Sequence, residues 1–175
     1  METSPQDITF RFIAETRKTL ETMRGKIVHC LRQLSDEDIN SRAFEGANSI
    51  ANLVTHLCGN VSQWIITPVG GDAIQRNRPS EFAQDLRATR DDLITKLNAT
   101  IARADEVIAS VTAESIIAPR KVQGYDETVM GAIFHATTHF EGHTHQIVYI
   151  TRARLGNRYV FKWEPKTPEQ ISAKK

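Results

Sequence analysis

Apolar residues recur along the chain at intervals of three, four and seven positions, and Pro and Gly residues divide the sequence into four long segments with this spacing. The spacing is that of an α-helix with one buried face, whereas a half-buried strand would alternate at every second residue. No alternating run is longer than a few residues. The pattern therefore predicts four helices of about 20–30 residues each.

The bounds of these helices follow from capping residues and helix breakers. The predicted helices run from Pro5 to Leu34, from Asn48 or Ser49 to Ile65, from Ser80 to Ile108, and from about Asp126 to Leu155. Ser80 is the expected N-cap of the third helix, and Glu81 would then favour the positive end of the helix dipole. The segment 35–46 is interpreted as a connection, and the segment 112–125 as a long crossover that is partly extended.

Four such helices without a substantial strand favour an all-α fold, a four-helix bundle with a long crossover before the last helix. We expect the bundle to occupy residues 1–160 and a C-terminal tail to occupy residues 161–175, with frayed ends at 172–175. Tyr159, Phe161 and Trp163 alternate near the C-terminus and would be exposed in a free tail. The tail should therefore pack on the bundle or across a homodimer interface.

Composition excludes several function classes. The chain has 22 Lys and Arg residues against 21 Asp and Glu residues, a net charge of +1, which argues against a nucleic-acid-coating protein. No apolar run approaches the roughly 18 residues of a membrane span, and the first residues do not resemble a secretion signal. Cys30 and Cys58 form no CxxC motif. We expect a cytoplasmic protein that binds neither nucleic acid nor membrane.

Histidines give the most informative pattern. The chain has six, and four of them lie between His135 and His145. On a helix that turns about 100° per residue, His139 and His143 are one turn apart, a spacing at which two imidazoles can bind one metal ion. His135 has the same spacing from His139 but lies about 12 Å of helix rise from His143, too far for all three to share an ion. His145 is turned about 160° from His143 and should face elsewhere.

The second helix carries a polar row in an otherwise apolar sequence: Asn48, Asn52, His56 and Asn60 recur at every fourth position, and Trp64 continues the row. In a bundle, His56 and the pair His139 and His143 can supply three ligands of a metal site. The fourth position would be left to water or substrate, as in catalytic sites. The residues alone leave an alternative open, in which the His pair is solvated and His56 bonds a backbone carbonyl. His29 has no partner in its helix and is interpreted as structural.

Other residues are candidates for the surroundings of such a site. His135, Asn52, Asn60 and Gln146 are candidates to line the pocket or to support the ligands, although a core position is slightly favoured for His135. Arg76 and Arg78, in the loop after the second helix, are candidates to bind a carboxylate. A solvated loop is the favoured interpretation of these two arginines.

Two motifs and one loop resemble the DinB/YfiT-like superfamily. Asn48 to Trp64 has the pattern N-x-I-x-N-L-V-x-H-L-x-G-N-x-x-x-W, and His139 to Ile147 has the pattern H-x-x-x-H-x-x-Q-I, followed by Tyr149, Thr151 and Arg152. The loop Arg76-Asn77-Arg78 with Glu81-Phe82 resembles one subgroup of small uncharacterised bacterial DinB-like proteins. The matches together span Asn48 to Arg154.

The resemblance implies that His56, His139 and His143 are the three ligands of one divalent metal ion. It also implies a DinB/YfiT-like bundle, often a homodimer, with the site in the bundle core. The superfamily includes thiol-dependent enzymes, among them bacillithiol transferases and a mycothiol-dependent maleylpyruvate isomerase. The chain departs from the pattern at His145, where the superfamily usually has a small residue, and this departure removes no ligand.

Two reactions would suit a three-histidine site, because neutral imidazoles leave the charge of the ion available to acidify bound water or a bound thiol. Activated water would make the protein a hydrolase, and an activated low-molecular-weight thiol would make it a thiol S-transferase acting on a small-molecule substrate. Zinc or nickel is the favoured ion, with iron and manganese as alternatives. A different function class stays open, a non-catalytic metal or small-ligand binder acting as a stress-response or interaction module.

Overall fold

The computed structural model describes residues 4–162 and Thr167. Within these residues the chain forms six α-helices and one antiparallel hairpin. They are α1 (Pro5–Leu31), α2 (Asp36–Asn40), α3 (Ile50–Val61), α4 (Arg78–Glu81), α5 (Arg90–Ala109), β1 (Pro119–Val122), β2 (Tyr125–Thr128) and α6 (Val129–Leu155). A π-helical turn, Ser62–Ile66, extends α3, and a short 3-10 turn, Gly156–Arg158, follows α6.

The long helices α1, α3, α5 and α6 form the predicted four-helix bundle. α1 packs mainly against α5 and α6, and α3 packs against the same two helices. The core is one continuous apolar cluster that includes Leu31, Leu57, Leu97 and Phe140, one from each helix and all fully buried. The prediction of an all-α bundle is confirmed. None of the helices in the described part of the chain is long and apolar enough to cross a membrane.

The start of α3 shows how the sequence sets the position of the site. Ser49 caps the helix, because its hydroxyl accepts a hydrogen bond from the Asn52 backbone N–H while the Asn52 side chain accepts one from the Ser49 N–H. This reciprocal cap fixes the first turn of α3 as predicted. His56 follows one turn later, on a helix whose apolar residues are buried on the other sides.

The predicted third helix is interrupted: of its first ten residues only Ser80 and Glu81 are helical, and they belong to α4. Ser80 is not an N-cap: the short helix α4 is capped by Asn77, and the long helix α5 begins only at Arg90, after the N-cap Thr89. The carbonyl of Ala83 accepts hydrogen bonds from the side chains of Asn52 and Arg42. The chain between α4 and α5 is thereby held against α3 by side chains that replace helical hydrogen bonds.

Smaller differences concern the connections. The segment after α1, predicted as a plain connection, contains α2, which Ser35 and Asp38 cap reciprocally. The long crossover is partly extended, as predicted, because it forms the β1–β2 hairpin in which Pro119 faces Thr128 and Val122 faces Tyr125. α6 begins at Val129 rather than near Asp126, which belongs to β2.

The chain after α6 packs back on α1 as far as it is described. The Val160 backbone accepts a hydrogen bond from His29 Nε2 at 2.7 Å, and its N–H donates to Gln33 Oε1 at 2.7 Å. Arg152 lies over the rings of Tyr159 and Phe161. Trp163 and the frayed end predicted at 172–175 lie outside the described residues. The division at residue 160 and the homodimer stay predictions.

Candidate metal centre

Three histidine rings from two helices converge on one point between α3 and α6. His56 comes from α3, and His139 and His143 come from successive turns of α6. His56 Nε2 lies 2.9 Å from His139 Nε2, and one ring nitrogen from each of the three residues lies within 4.8 Å of the other two. Imidazole nitrogens bind divalent ions at about 2.0–2.1 Å, so three nitrogens this close can bind one ion between them.

Glu81 fixes the orientation of His56. The Nδ1–H of His56 donates a hydrogen bond to Glu81 Oε2 at 2.9 Å, and both side chains are buried. This bond places the proton on Nδ1 and leaves the lone pair of Nε2 directed at the other two histidines. A carboxylate behind a histidine in this way raises the basicity of the ligating nitrogen.

Arg76 holds Glu81 in turn. Its Nε donates to Glu81 Oε1 and its Nη2 to Glu81 Oε2, both at 2.7 Å. Burial alone would raise the pKa of Glu81, but the hydrogen bonds from Arg76 and His56 lower it below its usual range. Glu81 is therefore a carboxylate at neutral pH. Arg76 is buried and paired, so the expectation of a solvated arginine at this position is wrong.

Gly59 makes room for the carboxylate. A Cβ at this position would lie 2.0 Å from Glu81 Oε1 and 2.9 Å from Arg76 Nε. Any side chain at position 59 would displace the Glu81–Arg76 pair. The glycine therefore lets the pair approach the helix closely enough to reach His56.

The other two histidines are also prepared to bind a cation. The Nδ1–H of His143 donates to Gln146 Oε1 at 2.8 Å, which leaves its Nε2 free. Burial, together with the neighbouring His143 and His56, lowers the pKa of His139 to about 4. Burial also lowers the pKa of His56. At neutral pH both rings are uncharged and keep a lone pair for a ligand bond.

A cleft of about 340 Å³ opens beside His56 and His139. Asn60 and Trp64, one and two turns after His56, form part of its wall, and residues of the hairpin form another part. Asn60 is 4% exposed, and its carbonyl Oδ1 has no hydrogen-bond partner among the described residues. Trp64 lies in the π-helical turn, a distortion that is frequent at functional sites.

The remaining candidates occupy different places. His135 is not in the core: it is exposed, and its ring lies on Trp64 with 3.7 Å between ring centres. Asn52 is buried and binds the carbonyls of Glu81 and Ala83, so it anchors the segment that carries Glu81. Arg78 is exposed at the cleft, with its guanidinium 4.9 Å from the centre of the Phe82 ring.

The histidines outside the group point elsewhere. His145 faces α1, with its Nε2 3.4 Å from Lys26 Nζ. His29 bonds the backbone of Val160. The placement of His145 agrees with the helical geometry that turns it away from His143, and the contact of His29 agrees with its interpretation as a structural residue.

Sequence reasoning missed Glu81 as the partner of His56 and Gly59 as the residue that admits it. The sequence pattern places Glu81 in the first turn of a long helix, whereas the structure places it at the end of the short helix α4. The available signal was the loop Arg76-Asn77-Arg78 with Glu81-Phe82, which places a carboxylate, a guanidinium and an aromatic ring in one short segment. Phe82 lies against His56, with 4.7 Å between the ring centres.

The donor set fits a divalent ion. The Nδ1–H groups of His56 and His143 are bonded away from the centre, so their Nε2 atoms are left as acceptors, and all three rings can reach one point. The negative charge of Glu81 behind His56 is balanced by Arg76. Zinc, nickel, iron and manganese all accept imidazole nitrogen, so the residues do not select among them.

Comparison with known proteins places the chain in a family. The model of a family described as a protein of unknown function (DUF1572) matches residues 7–163. No curated protein sequence matches the chain.

Several solved structures share the fold. A DinB-like protein (YjoA) from Bacillus subtilis superposes with a TM-score of 0.65 at 15% identity, covering 87% of this chain and 99% of the other. A conserved protein from Enterococcus faecalis gives 0.68 at 16% identity, covering 82% and 96%. A DinB-like protein from Bacillus cereus gives 0.61 at 11% identity, covering 75% and 85%. The chain therefore belongs to the DUF1572 family and has the fold of DinB-like proteins.

Proposed function

We propose that the protein binds a divalent metal ion through His56, His139 and His143 and uses it to activate a thiol or a water molecule, as a thiol S-transferase or a hydrolase. The observation that carries this proposal is the convergence of three imidazole nitrogens within 4.8 Å at the edge of an open cleft. A site that served only to stabilise the fold would be closed by a fourth protein ligand.

The chain's own residues have separate tasks in this proposal. The three histidines hold the ion, and Glu81 and Gln146 keep the ligating nitrogens of His56 and His143 unprotonated. The ion supplies the positive charge that lowers the pKa of a thiol or water bound beside it. Asn60 and Trp64 shape the cleft in which the second reactant would lie.

The thiol of an S-transferase would have to come from a separate molecule. Cys58 is buried, and burial raises its pKa to about 11. Burial also raises the pKa of Cys30. A buried thiol with a raised pKa is a poor nucleophile, so neither cysteine suits the reaction.

A non-catalytic metal binder is the alternative. The cleft beside His56 and His139 favours a reaction, because a binder does not need space for a second reactant next to the ion. The resemblance to thiol-dependent enzymes favours transfer over hydrolysis.

Two assays on the metal-loaded protein test the proposal. Metal analysis of the purified protein comes first, followed by transfer of several low-molecular-weight thiols to an electrophile such as monobromobimane, and by hydrolysis of p-nitrophenyl esters. We expect activity in one assay that disappears with a chelator and returns with zinc or nickel. Tight metal binding without activity in either assay would favour the binder.

A further inference from the structure

The cleft beside His56 and His139 contains two groups that the proposed metal site does not use. One is the buried carbonyl Oδ1 of Asn60, which has no hydrogen-bond partner among the described residues. The other is the guanidinium of Arg78, which forms no ion pair with any residue in 4–162 or with Thr167 and contacts the face of Phe82. Both side chains line the same cleft as His56 and His139.

An unsatisfied buried carbonyl is costly, since it has lost its bonds to water without replacing them. Asn60 lies on α3 between His56 and Trp64, one turn from each. The side chain of Asn60 lines the cleft, so a small rotation would bring this oxygen to an N–H or O–H group of a molecule bound there. Turning the amide by 180° would leave an unpartnered NH₂ group at the same place, so a polar partner would still be needed.

Arg78 supplies the free positive charge. Arg76 also lines the cleft, but its charge is neutralised by Glu81. The acidic residue of the cleft, Glu127, lies over the first turn of α6, so close to Gly131 that a side chain there would clash with it. The positive end of the helix dipole favours the charge of Glu127 at that place.

Phe82 limits the distance between Arg78 and the metal site. The Arg78 guanidinium is 4.9 Å from the centre of the Phe82 ring, and that ring is 4.7 Å from the centre of the His56 ring. The two distances add up to an upper limit of about 9.6 Å between the guanidinium and the His56 ring. A small molecule can span this distance with a few bonds.

From these positions we propose that the cleft binds a small carboxylate ligand, with its carboxylate on Arg78, an N–H or O–H donor on Asn60 Oδ1, and its reacting group beside the three histidines. This inference rests on the proposed function. It names the class of molecule on which that function would act. Arg78 and Asn60 are binding residues in it, and neither holds the metal.

A matched pair of thiols tests the contact with Arg78 by titration calorimetry on the zinc-loaded protein. N-acetylcysteine and N-acetylcysteamine both carry a thiol and an amide N–H, and only the first carries a carboxylate. We expect N-acetylcysteine to bind about tenfold more tightly, as for a charge-assisted hydrogen bond. Arg78→Gln should remove this preference and Arg11→Gln, which removes an exposed charge from α1, should keep it. Equal losses in the two variants, or equal losses for the two thiols in Arg78→Gln, would overturn the proposal.

A second comparison tests the contact with Asn60. 3-Mercaptopropionate carries the thiol and the carboxylate but has no N–H. Asn60→Leu should weaken the binding of N-acetylcysteine and leave that of 3-mercaptopropionate near the parental value. A parental affinity for both thiols would exclude Asn60 from the ligand contact.

A probe without a thiol separates this inference from the proposed function. N-acetylalanine, titrated into the metal-free protein, should bind weakly and lose that binding in Arg78→Gln. Its binding depends on no metal, so it would persist if the three histidines proved not to bind zinc. If Arg78→Gln weakens the binding of N-acetylcysteine alone, Arg78 recognises the carboxylate only in a ligand that also carries a thiol. If it weakens the binding of both probes, Arg78 recognises the carboxylate without the thiol. If Arg78→Gln binds both probes as tightly as the parent does, the inference is wrong, even where the protein binds zinc tightly.

Discussion

Two groups of histidines in this bundle have opposite surroundings. In the group His56, His139 and His143, a carboxylate and an amide oxygen accept hydrogen bonds from the Nδ1–H groups of two rings, and one nitrogen of each ring faces the other two. The second group lies where α1 and α6 face each other. His29 on α1 donates a hydrogen bond from its Nε2 to the Val160 carbonyl, and His145 on α6 lies beside the ammonium of Lys26. The first group is therefore suited to bind a cation. In the second group, His29 is already hydrogen-bonded, and the positive charge of Lys26 lies next to His145.

The spacing along α6 turns the two rings in different directions, and their surroundings differ as well. His143 and His145 are two residues apart on this helix, but Gln146 accepts a hydrogen bond from the first and Lys26 lies next to the second. What lies behind and in front of each ring decides its chemistry. The following experiments change those surroundings, beginning with the rings themselves.

Removal of a ligating ring should have the largest effect. His56→Ala, His139→Ala and His143→Ala should each reduce zinc affinity by more than about 100-fold, the upper end of what is lost when a group behind a ligand is removed. His29→Ala and His145→Ala are the matched controls and should keep the parental affinity in titration calorimetry of the metal-free variants. If His145→Ala loses zinc and His139→Ala keeps it, the division between the two groups is wrong.

Removal of the carboxylate behind His56 should have the next largest effect. Glu81→Gln keeps the size of the side chain but weakens the bond that fixes the His56 tautomer, so zinc affinity should fall by about 10–100-fold. Gly59→Ala should lower it too, because the new Cβ occupies the position of the Glu81 oxygen.

The control for this change is Glu37→Gln, which removes an exposed carboxylate from α2. It should bind zinc as the parent does. If the two Glu→Gln variants lose the same zinc affinity, Glu81 contributes only to the overall electrostatic field of the protein and not to the orientation of His56.

Acid should destabilise the metal-free protein through His139 and His56 of the first group. The pKa of His139 is about 4 in the folded chain against 6.5 for an ordinary histidine, so the unfolded state binds more protons between these two values. The contribution of the uncharged His139 to the free energy of unfolding is therefore complete above pH 6.5, and it decreases as the pH falls towards 4. The lowered pKa of His56 acts in the same direction.

Urea unfolding at pH 7 and pH 5 measures this difference. The midpoint should fall less in His139→Gln than in the parent, and His145→Gln should show the parental decrease. A parental decrease in His139→Gln would mean that His139 does not carry the effect.

Asn60→Leu should have the smallest effect, and it should be stabilising. A buried carbonyl without a partner costs about 1–3 kcal/mol, and replacement by an apolar side chain of similar shape removes that cost. We expect the free energy of unfolding of the ligand-free protein to rise by about 1 kcal/mol. Ser62→Ala, two residues further along the chain, is the control: it removes the hydrogen bond from the Ser62 hydroxyl to the Cys58 carbonyl and should not raise the free energy of unfolding. A destabilised Asn60→Leu protein would show that the amide has a partner in solution.

The sequence predicted the bundle from local periodicity, and it predicted the group His56, His139 and His143 from the spacing of the pair on α6 together with the resemblance to DinB/YfiT-like proteins. Ser49 and Asn52 form the N-terminal cap of α3, and the four-residue interval between His139 and His143 places two rings on one face of α6. It did not predict the break between α4 and α5, because the bonds that make the break come from distant residues: Asn52 and Arg42 bind the carbonyl of Ala83. The same segment carries Glu81, so the support of His56 was missed with it.

X-ray absorption spectroscopy of the zinc-loaded protein tests whether His56, His139 and His143 bind the ion. We expect three imidazole nitrogens at about 2.0–2.1 Å from the ion in the parent and in His145→Ala, and a changed set of ligands in His139→Ala. A sulfur shell at about 2.3 Å, which would place Cys30 or Cys58 on the ion, would contradict it. So would a first shell without imidazole, or one that is the same in His139→Ala as in the parent.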